Sequence, residues 1–139
     1  MKLSTRGKYG LYAMAYLAQK ADEGPQPLRA IAQLNLPEQY LEQLLGSLRK
    51  AGLVTTVRGA QGGYQLALPP EQITVGHIID AMEGPLSLSE CATDADNCCP
   101  HSEGCKTRRV WEYLTDQINQ LLYSITLKDM LESKEMDQI

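Results

Sequence analysis

Residues Pro37 to Leu68 read PEQYLEQLLGSLRKAGLVTTVRGAQGGYQLAL, and the succession of patterns in this stretch sets the fold. Leu41, Leu44, Leu45 and Leu48 recur at three and four residues, the stripe of a helix that buries one face. Gln39, Glu42, Gln43, Ser47, Arg49 and Lys50 fall on the opposite face. Pro37 suits a first helical turn, where its missing N–H costs nothing, and Gly52 supplies a stop. Leu53-Val54-Thr55-Thr56-Val57 and Tyr64-Gln65-Leu66-Ala67-Leu68 then flank Arg58-Gly59-Ala60-Gln61-Gly62-Gly63, two strands around a glycine-rich turn.

Upstream, Thr5–Gln19 carries Leu11, Met14, Ala15, Ala18 and Tyr9, Tyr12, Tyr16 at helical spacing, with Gly7 and Gly10 weakening its first turn. Asp22-Glu23-Gly24-Pro25 breaks that pattern, and Leu28 to Leu34 makes a short second helix with Leu28, Ile31 and Ala32 inward. Asn35 and Pro37 bracket a tight turn. Three helices followed by a hairpin, the second and third helices joined by that turn, is the order of a winged helix-turn-helix.

Downstream, Thr74 is placed to cap a fourth helix through Val75, Ile78, Ile79 and Met82. Trp111, Leu114, Ile118, Leu121 and Ile125 then repeat at intervals of three and four, a coiled-coil-like seam that predicts a dimerisation helix. Packing against the chain's own first helix is the alternative use of that seam. Thr126-Leu127-Lys128-Asp129 reads as a capping box opening a last short helix, with Met130 and Leu131 inward. The expected fold is mainly α with a small β-hairpin, a winged helix-turn-helix plus a long C-terminal dimerisation helix. It divides into a DNA-binding domain over 1–83, a cysteine-rich cluster-binding loop over 84–104, and the dimerisation helix with a short C-terminal helix over 105–139.

A chain of 139 residues, 43% apolar and 22% charged, has the size and composition of one globular domain or a small domain with an added helix. No run approaches the roughly 18 to 20 apolar residues of a membrane span, and the start is too polar for a signal peptide, so a cytoplasmic protein without a membrane partner is expected. The net charge of −4 hides an asymmetry. Residues 1–68 hold eight bases against four acids, a net of +4, and the remainder holds five against thirteen, a net of −8. That is the balance of a basic reading head on an acidic body.

All four cysteines fall in Cys91-x6-Cys98-Cys99-x5-Cys105. Structural thiols scatter through cores, whereas clustered ones are ligands more often than packing. A reducing compartment argues against disulfides, and zinc is normally held by paired C-x2-C knuckles that are missing here. Iron–sulfur clusters tolerate wider spacing, so a cluster leads over zinc or plain redox thiols. Cys105 stands where the long helix begins, followed by Lys106, Arg108 and Arg109, and a helix start with nearby cations stabilises a thiolate. His101, within the same loop, is a possible further ligand.

Two elements point to double-stranded DNA. Gln39, Tyr40, Glu42 and Gln43 occupy the outward, N-terminal positions of the third helix, where glutamine can pair adenine and glutamate can accept from cytosine. Arg58 and Gly59, at the tip of the hairpin, suit a wing that reaches a narrow minor groove. No nucleophile–base pair and no paired carboxylates are visible, so an enzyme is not expected. His77, on the fourth helix, reads as structural.

Together, LSTRGKYGLYAM, YLEQLLGSLRKAGLVTTVRGAQGGYQLA, the cysteine loop, CKTRRVWEYL and SITLKDML resemble the IscR-type regulators, bacterial winged-helix transcription factors of the wider Rrf2 superfamily. The resemblance implies a homodimer with crossed long helices, operator DNA and cluster-assembly proteins as partners, and control of iron–sulfur assembly or stress genes. It matches Tyr40, Glu42, Gln43 and Arg58 to DNA-reading positions, and Cys91, Cys99 and Cys105 to ligands of an iron–sulfur cluster, 2Fe-2S ahead of 4Fe-4S. Where the best-known members carry a histidine three residues after the last cysteine, this chain has Arg108. The fourth ligand is therefore open among Cys98, His101 and a residue from elsewhere, as is the choice between the IscR type and its nitric-oxide-sensing (NsrR) or iron-responsive (RirA) cousins. The cluster-free cysteine-metabolism branch (CymR) fits less well, because four loop cysteines would then be idle.

Overall fold

Leu41, Leu44, Leu45 and Leu48 are fully buried at the centre of the molecule, each such side chain contributing about 1.5–3 kcal/mol relative to exposure. The computed structural model describes residues 4–32, 36–88 and 105–132. In chain order its elements are α1 (Thr5–Gln19), α2 (Leu28–Ile31), α3 (Glu38–Lys50), β1 (Val54–Val57), β2 (Gly63–Leu66), α4 (Val75–Glu83), α5 (Lys106–Ser124) and α6 (Leu127–Glu132). Single 3-10 turns lie at Ala21–Glu23 and Pro70–Gln72. The mainly α architecture with one antiparallel hairpin is as the sequence predicts.

Three boundaries differ from expectation. Helix α2 ends at Ile31, with a 3-10 residue at Ala32, and the expected continuation to Leu34 reaches into 33–35, outside the described residues. Pro37 is the N-cap of α3 rather than its first residue. Ile125 leaves the seam: its backbone is extended (φ −97°, ψ 118°) and its carbonyl accepts from Val75 N–H at 2.8 Å. That bond, with the Thr74–Thr126 bridge and Leu127 N–H donating to the Ile73 carbonyl at 2.9 Å, turns the chain back into the head. Leu127 is fully buried there, in the core that also holds Met14, Ile31 and Leu48.

The buried face of α1 is Gly7, Gly10, Ala13, Met14, Leu17 and Ala18, while Tyr12 is 61% exposed. A Cβ on Gly10 would sit 2.7 Å from Met82 Cγ, so this glycine, which weakens an isolated helix, is what lets α4 lie close against α1. Helix α4 is capped as expected at Thr74, and the partner is His77. The Thr74 Oγ1 accepts from His77 N–H at 3.2 Å, and Thr74 N–H donates to His77 Nδ1 at 3.2 Å. His77 thus closes a capping box in the position usually held by Glu or Gln. Its ring also meets Tyr123 edge-on, centroids 5.1 Å apart. Tyr123 donates to Asp80 Oδ2 and lies over Gly76, so α5 is joined to α4 through one aromatic side chain.

Candidate functional site

The exposed face of α3 presents Gln39, Glu42 and Gln43 to solvent, as a base-reading face requires. Tyr40 differs: it is half-buried and packs edge-on against Tyr9 of α1, centroids 5.8 Å apart, so its ring braces the helix. Arg49 and Lys50 complete the last turn, where cations complement the helix dipole.

The hairpin pairs Val54 with Leu66 and Val57 with Gly63, leaving residues 58–62 as its tip. Gly62 N–H closes that tip on the Gly59 carbonyl at 3.0 Å, Gly59 has φ 118°, and Arg58 and Gly59 are exposed. The hairpin is anchored close to its tip: Gln26 N–H donates to the Tyr64 carbonyl at 2.9 Å and Tyr64 N–H donates back at 2.8 Å. This isolated antiparallel bridge ties the hairpin to the segment between α1 and α2. Gly63 permits it, because a Cβ there would lie 2.2 Å from the Gln26 carbonyl oxygen.

Both ends of the cysteine segment rest on α5. Cys105 is the N-cap of that helix and half-buried, its Sγ 3.1 Å from Thr107 Oγ1. The Thr107 hydroxyl, then the backbone N–H groups of Arg108 and Thr107, hold the thiol below its ordinary range, which favours thiolate at the helix start. At the other end, Leu88 N–H donates to Thr115 Oγ1 at 3.3 Å, and Asn119 Nδ2 donates to the Leu86 carbonyl at 3.4 Å. Thr115 is the buried residue of α5, and it and Asn119 were not singled out from sequence. The signal was present: two polar residues four apart, facing inward between apolar ones. Along the helix axis Thr115 and Cys105 stand about 15 Å apart.

Arg108 bonds Glu112 through its Nε at 2.8 Å, so the residue in the place of the family's histidine is an ion-paired cation. Cys91, Cys98, Cys99 and His101 lie outside the described residues. Among the described residues no three ligand-type side chains gather, and no helix is long and apolar enough to cross a membrane.

Residues 3–133 match the Rrf2 family, described as an iron-dependent transcriptional regulator. The chain belongs to the Rrf2 family. Within it, the chain is 44% identical to the HTH-type transcriptional regulator CymR of Bacillus subtilis over 99% of its own length and 95% of that protein's. The structure of that protein, the global cysteine regulator, matches with a TM-score of 0.79 over 96% of this chain and 98% of the other. The structure of T. potens IscR matches with a TM-score of 0.78 and 46% identity, over 100% of this chain and 92% of the other. IscR of Aliivibrio salmonicida is 38% identical over 100% of this chain and 82% of its own. The chain is thus a winged-helix transcriptional regulator of the Rrf2 family, similar to CymR and IscR proteins alike.

Proposed function

We propose that this regulator acts as a homodimer on operator DNA and senses iron–sulfur cluster status through the Cys91–Cys105 segment, controlling cluster-assembly genes. The observation that carries the reading is the seat of Cys105: a thiol held below its ordinary range at the N-cap of the helix that also anchors Leu86 and Leu88. Such a thiol fits as a ligand for iron, with Cys91, Cys99, and Cys98 or His101 as the others. When bound, the cluster supplies a metal–thiolate centre sensitive to iron supply and oxidants. The protein's own residues carry the rest. Gln39, Glu42 and Gln43 read base edges, Tyr40 sets the pose of α3, and Arg58 with Gly59 enters the minor groove. Residues 1–83 form the reading head, 84–104 the sensing loop and 105–139 the dimer element, and α5 links the last two.

A second reading is a cluster-free, thiol-dependent or zinc-stabilised regulator, and the 44% identity to B. subtilis CymR favours it. One preparation separates them. Protein purified without oxygen is assayed for iron, sulfide and zinc per chain, and operator affinity is compared before and after the metal is removed. Iron with sulfide, and an affinity that changes on removal, supports the sensor. Four irons per chain points to the nitric-oxide- or iron-responsive cousins, and metal-free or zinc-loaded protein with unchanged affinity overturns the cluster reading.

A further inference from the structure

Arg6 belongs to the first turn of α1, yet its guanidinium lies against α3. Its Nη2 donates to Ser47 Oγ at 3.1 Å. Ser47 donates to the Gln43 carbonyl at 3.2 Å, so its hydroxyl proton is committed to α3 and its lone pairs are left for Arg6. Arg6 is exposed and Ser47 half-buried, which places the contact at the surface. Three residues further along α1, Tyr9 meets Tyr40, and Tyr40 and Ser47 lie seven residues apart, on the same flank of α3. The start of α1 therefore runs beside the reading face. It is held from behind as well: Ser4 N–H donates to Glu83 Oε1 at 2.5 Å, and a Cβ on Gly7 would stand 3.1 Å from that oxygen.

The first half of α3 carries Glu38 and Glu42 and no base, since Arg49 and Lys50 come only in its last turn. Two carboxylates facing a polyanion need a compensating cation from outside the helix. Arg6 is a base that the fold sets against the same helix, at Ser47. A guanidinium has five donors, of which a hydroxyl anchor uses one, and anchoring reduces the side-chain entropy lost on capturing an anion.

We propose that Arg6 binds a DNA backbone phosphate on the wall of the major groove that α3 enters, with Ser47 as its positioning residue. This rests on the reading of α3 as the recognition helix. Phosphate contacts carry register rather than sequence, so the effect of Arg6 must be uniform across duplexes and must depend on salt.

The test is fluorescence anisotropy with the full-length protein on a labelled operator selected from a random pool and on a mixed-sequence duplex. Arg6→Gln keeps a donor for Ser47 and removes the charge. Its deficit relative to the parent protein shrinks by about twelvefold between about 50 and about 200 mM salt, as loss of one phosphate contact per protomer, two per dimer, requires. Arg6→Lys and Ser47→Ala keep the charge and retain the parent salt slope, the latter binding a few-fold more weakly. Arg6→Ala repeats the charge removal without the amide, and thermal melting identifies any variant that does not fold. An unchanged slope in folded Arg6→Gln or Arg6→Ala overturns the proposal, even where affinity falls, because Arg6 is then a brace between α1 and α3. Glu42→Ala on operator-mismatch duplexes separates the two levels. A changed mismatch profile with an unchanged Arg6 slope overturns Arg6 alone, and unchanged results in both overturn the role of α3 too.

Discussion

Glu42 lies on the solvent face of α3, where a carboxylate near phosphates lowers affinity unless it accepts a hydrogen bond from a base edge. Glu42→Ala is therefore expected to lose about 1–3 kcal/mol of discrimination at one operator position. Total affinity should hold or rise, as read on a panel of mismatched operators. Arg58→Ala, at the wing tip, should instead weaken every duplex and reduce the salt slope by about two, one for each protomer of the dimer. An unchanged panel for Glu42→Ala would remove its base-reading role. Gly63 pairs with Val57 where the second strand leaves the wing tip. Gly63→Ala drives a Cβ into the Gln26 carbonyl, 2.2 Å away in the present geometry, and neither partner is a flexible side-chain tip. A loss of about 3 kcal/mol in chemical unfolding is expected, the upper end for a forced overlap. A loss below about 1 kcal/mol would mean that the rung between Gln26 and Tyr64 yields easily.

Helix α5 packs on α4 through Tyr123 and leaves Leu121 65% exposed, Val110 52%, Trp111 41% and Leu114 38%. Such a row on one helix is the surface that a second copy would cover. On the proposed homodimer, Leu121→Asp should give a folded monomer, by sedimentation, at concentrations where the parent chain sediments as a larger species, with an unchanged melting profile of the head. A dimer that persists would place the interface elsewhere. Helix α6 begins with the capping box read from sequence: Thr126 N–H donates to Asp129 Oδ2 at 3.0 Å, and Asp129 N–H donates to Thr126 Oγ1 at 3.1 Å. The donated Thr126 N–H, then the Thr126 hydroxyl, hold the Asp129 carboxyl below its usual range. A depressed folded-state pKa stabilises the fold above the ordinary carboxylate value of about 3.9, and that contribution disappears as pH falls through the lower folded value. NMR titration should show the Thr126 amide and Asp129 carboxyl moving together below about pH 4, and Asp129→Asn should abolish that transition.

The path from the ends of the cysteine segment to the exposed face of α3 is short in contacts. Cys105 and the Leu86–Leu88 segment share α5, α5 is joined to α4 through Tyr123, and α4 reaches α1 through Glu83 and the glycines packed beneath it. From α1, Arg6 and Tyr9 touch α3. Spatial continuity becomes coupling when two ligands shift one equilibrium, and linkage then fixes the size of the effect in both directions. If removal of the metal changes operator affinity by a given factor, operator DNA must change metal retention by that factor, about 5- to 150-fold for ordinary allosteric couplings. Metal loss to a chelator at equilibrium, with and without saturating operator, measures it. Retention that ignores the operator, with an affinity that depends on metal, would break the thermodynamic cycle and point to metal-induced misfolding.

Local periodicity was enough for the elements: the leucine stripe of α3, the hairpin around its glycines, Thr74 and Thr126 as helix starts, and the exposed row on α5 all follow from spacing and side-chain chemistry. The outward placement of Gln39, Glu42, Gln43 and Arg58 was equally legible, because a helix or hairpin with one buried face must present the other. Contacts between elements were not legible in this way. Gly7 and Gly10 read as weak points of α1 until α4 is laid against them, and Tyr40 reads as an outward residue until Tyr9 meets it. Ile125 continued a seam on paper and instead joins Val75, Thr115 and Asn119 passed as ordinary helix polars, and Arg6 gave no sign of Ser47. Periodicity records which face of one element is buried, within a few residues of chain. What covers that face is decided by residues tens of positions away, and only folding brings them together.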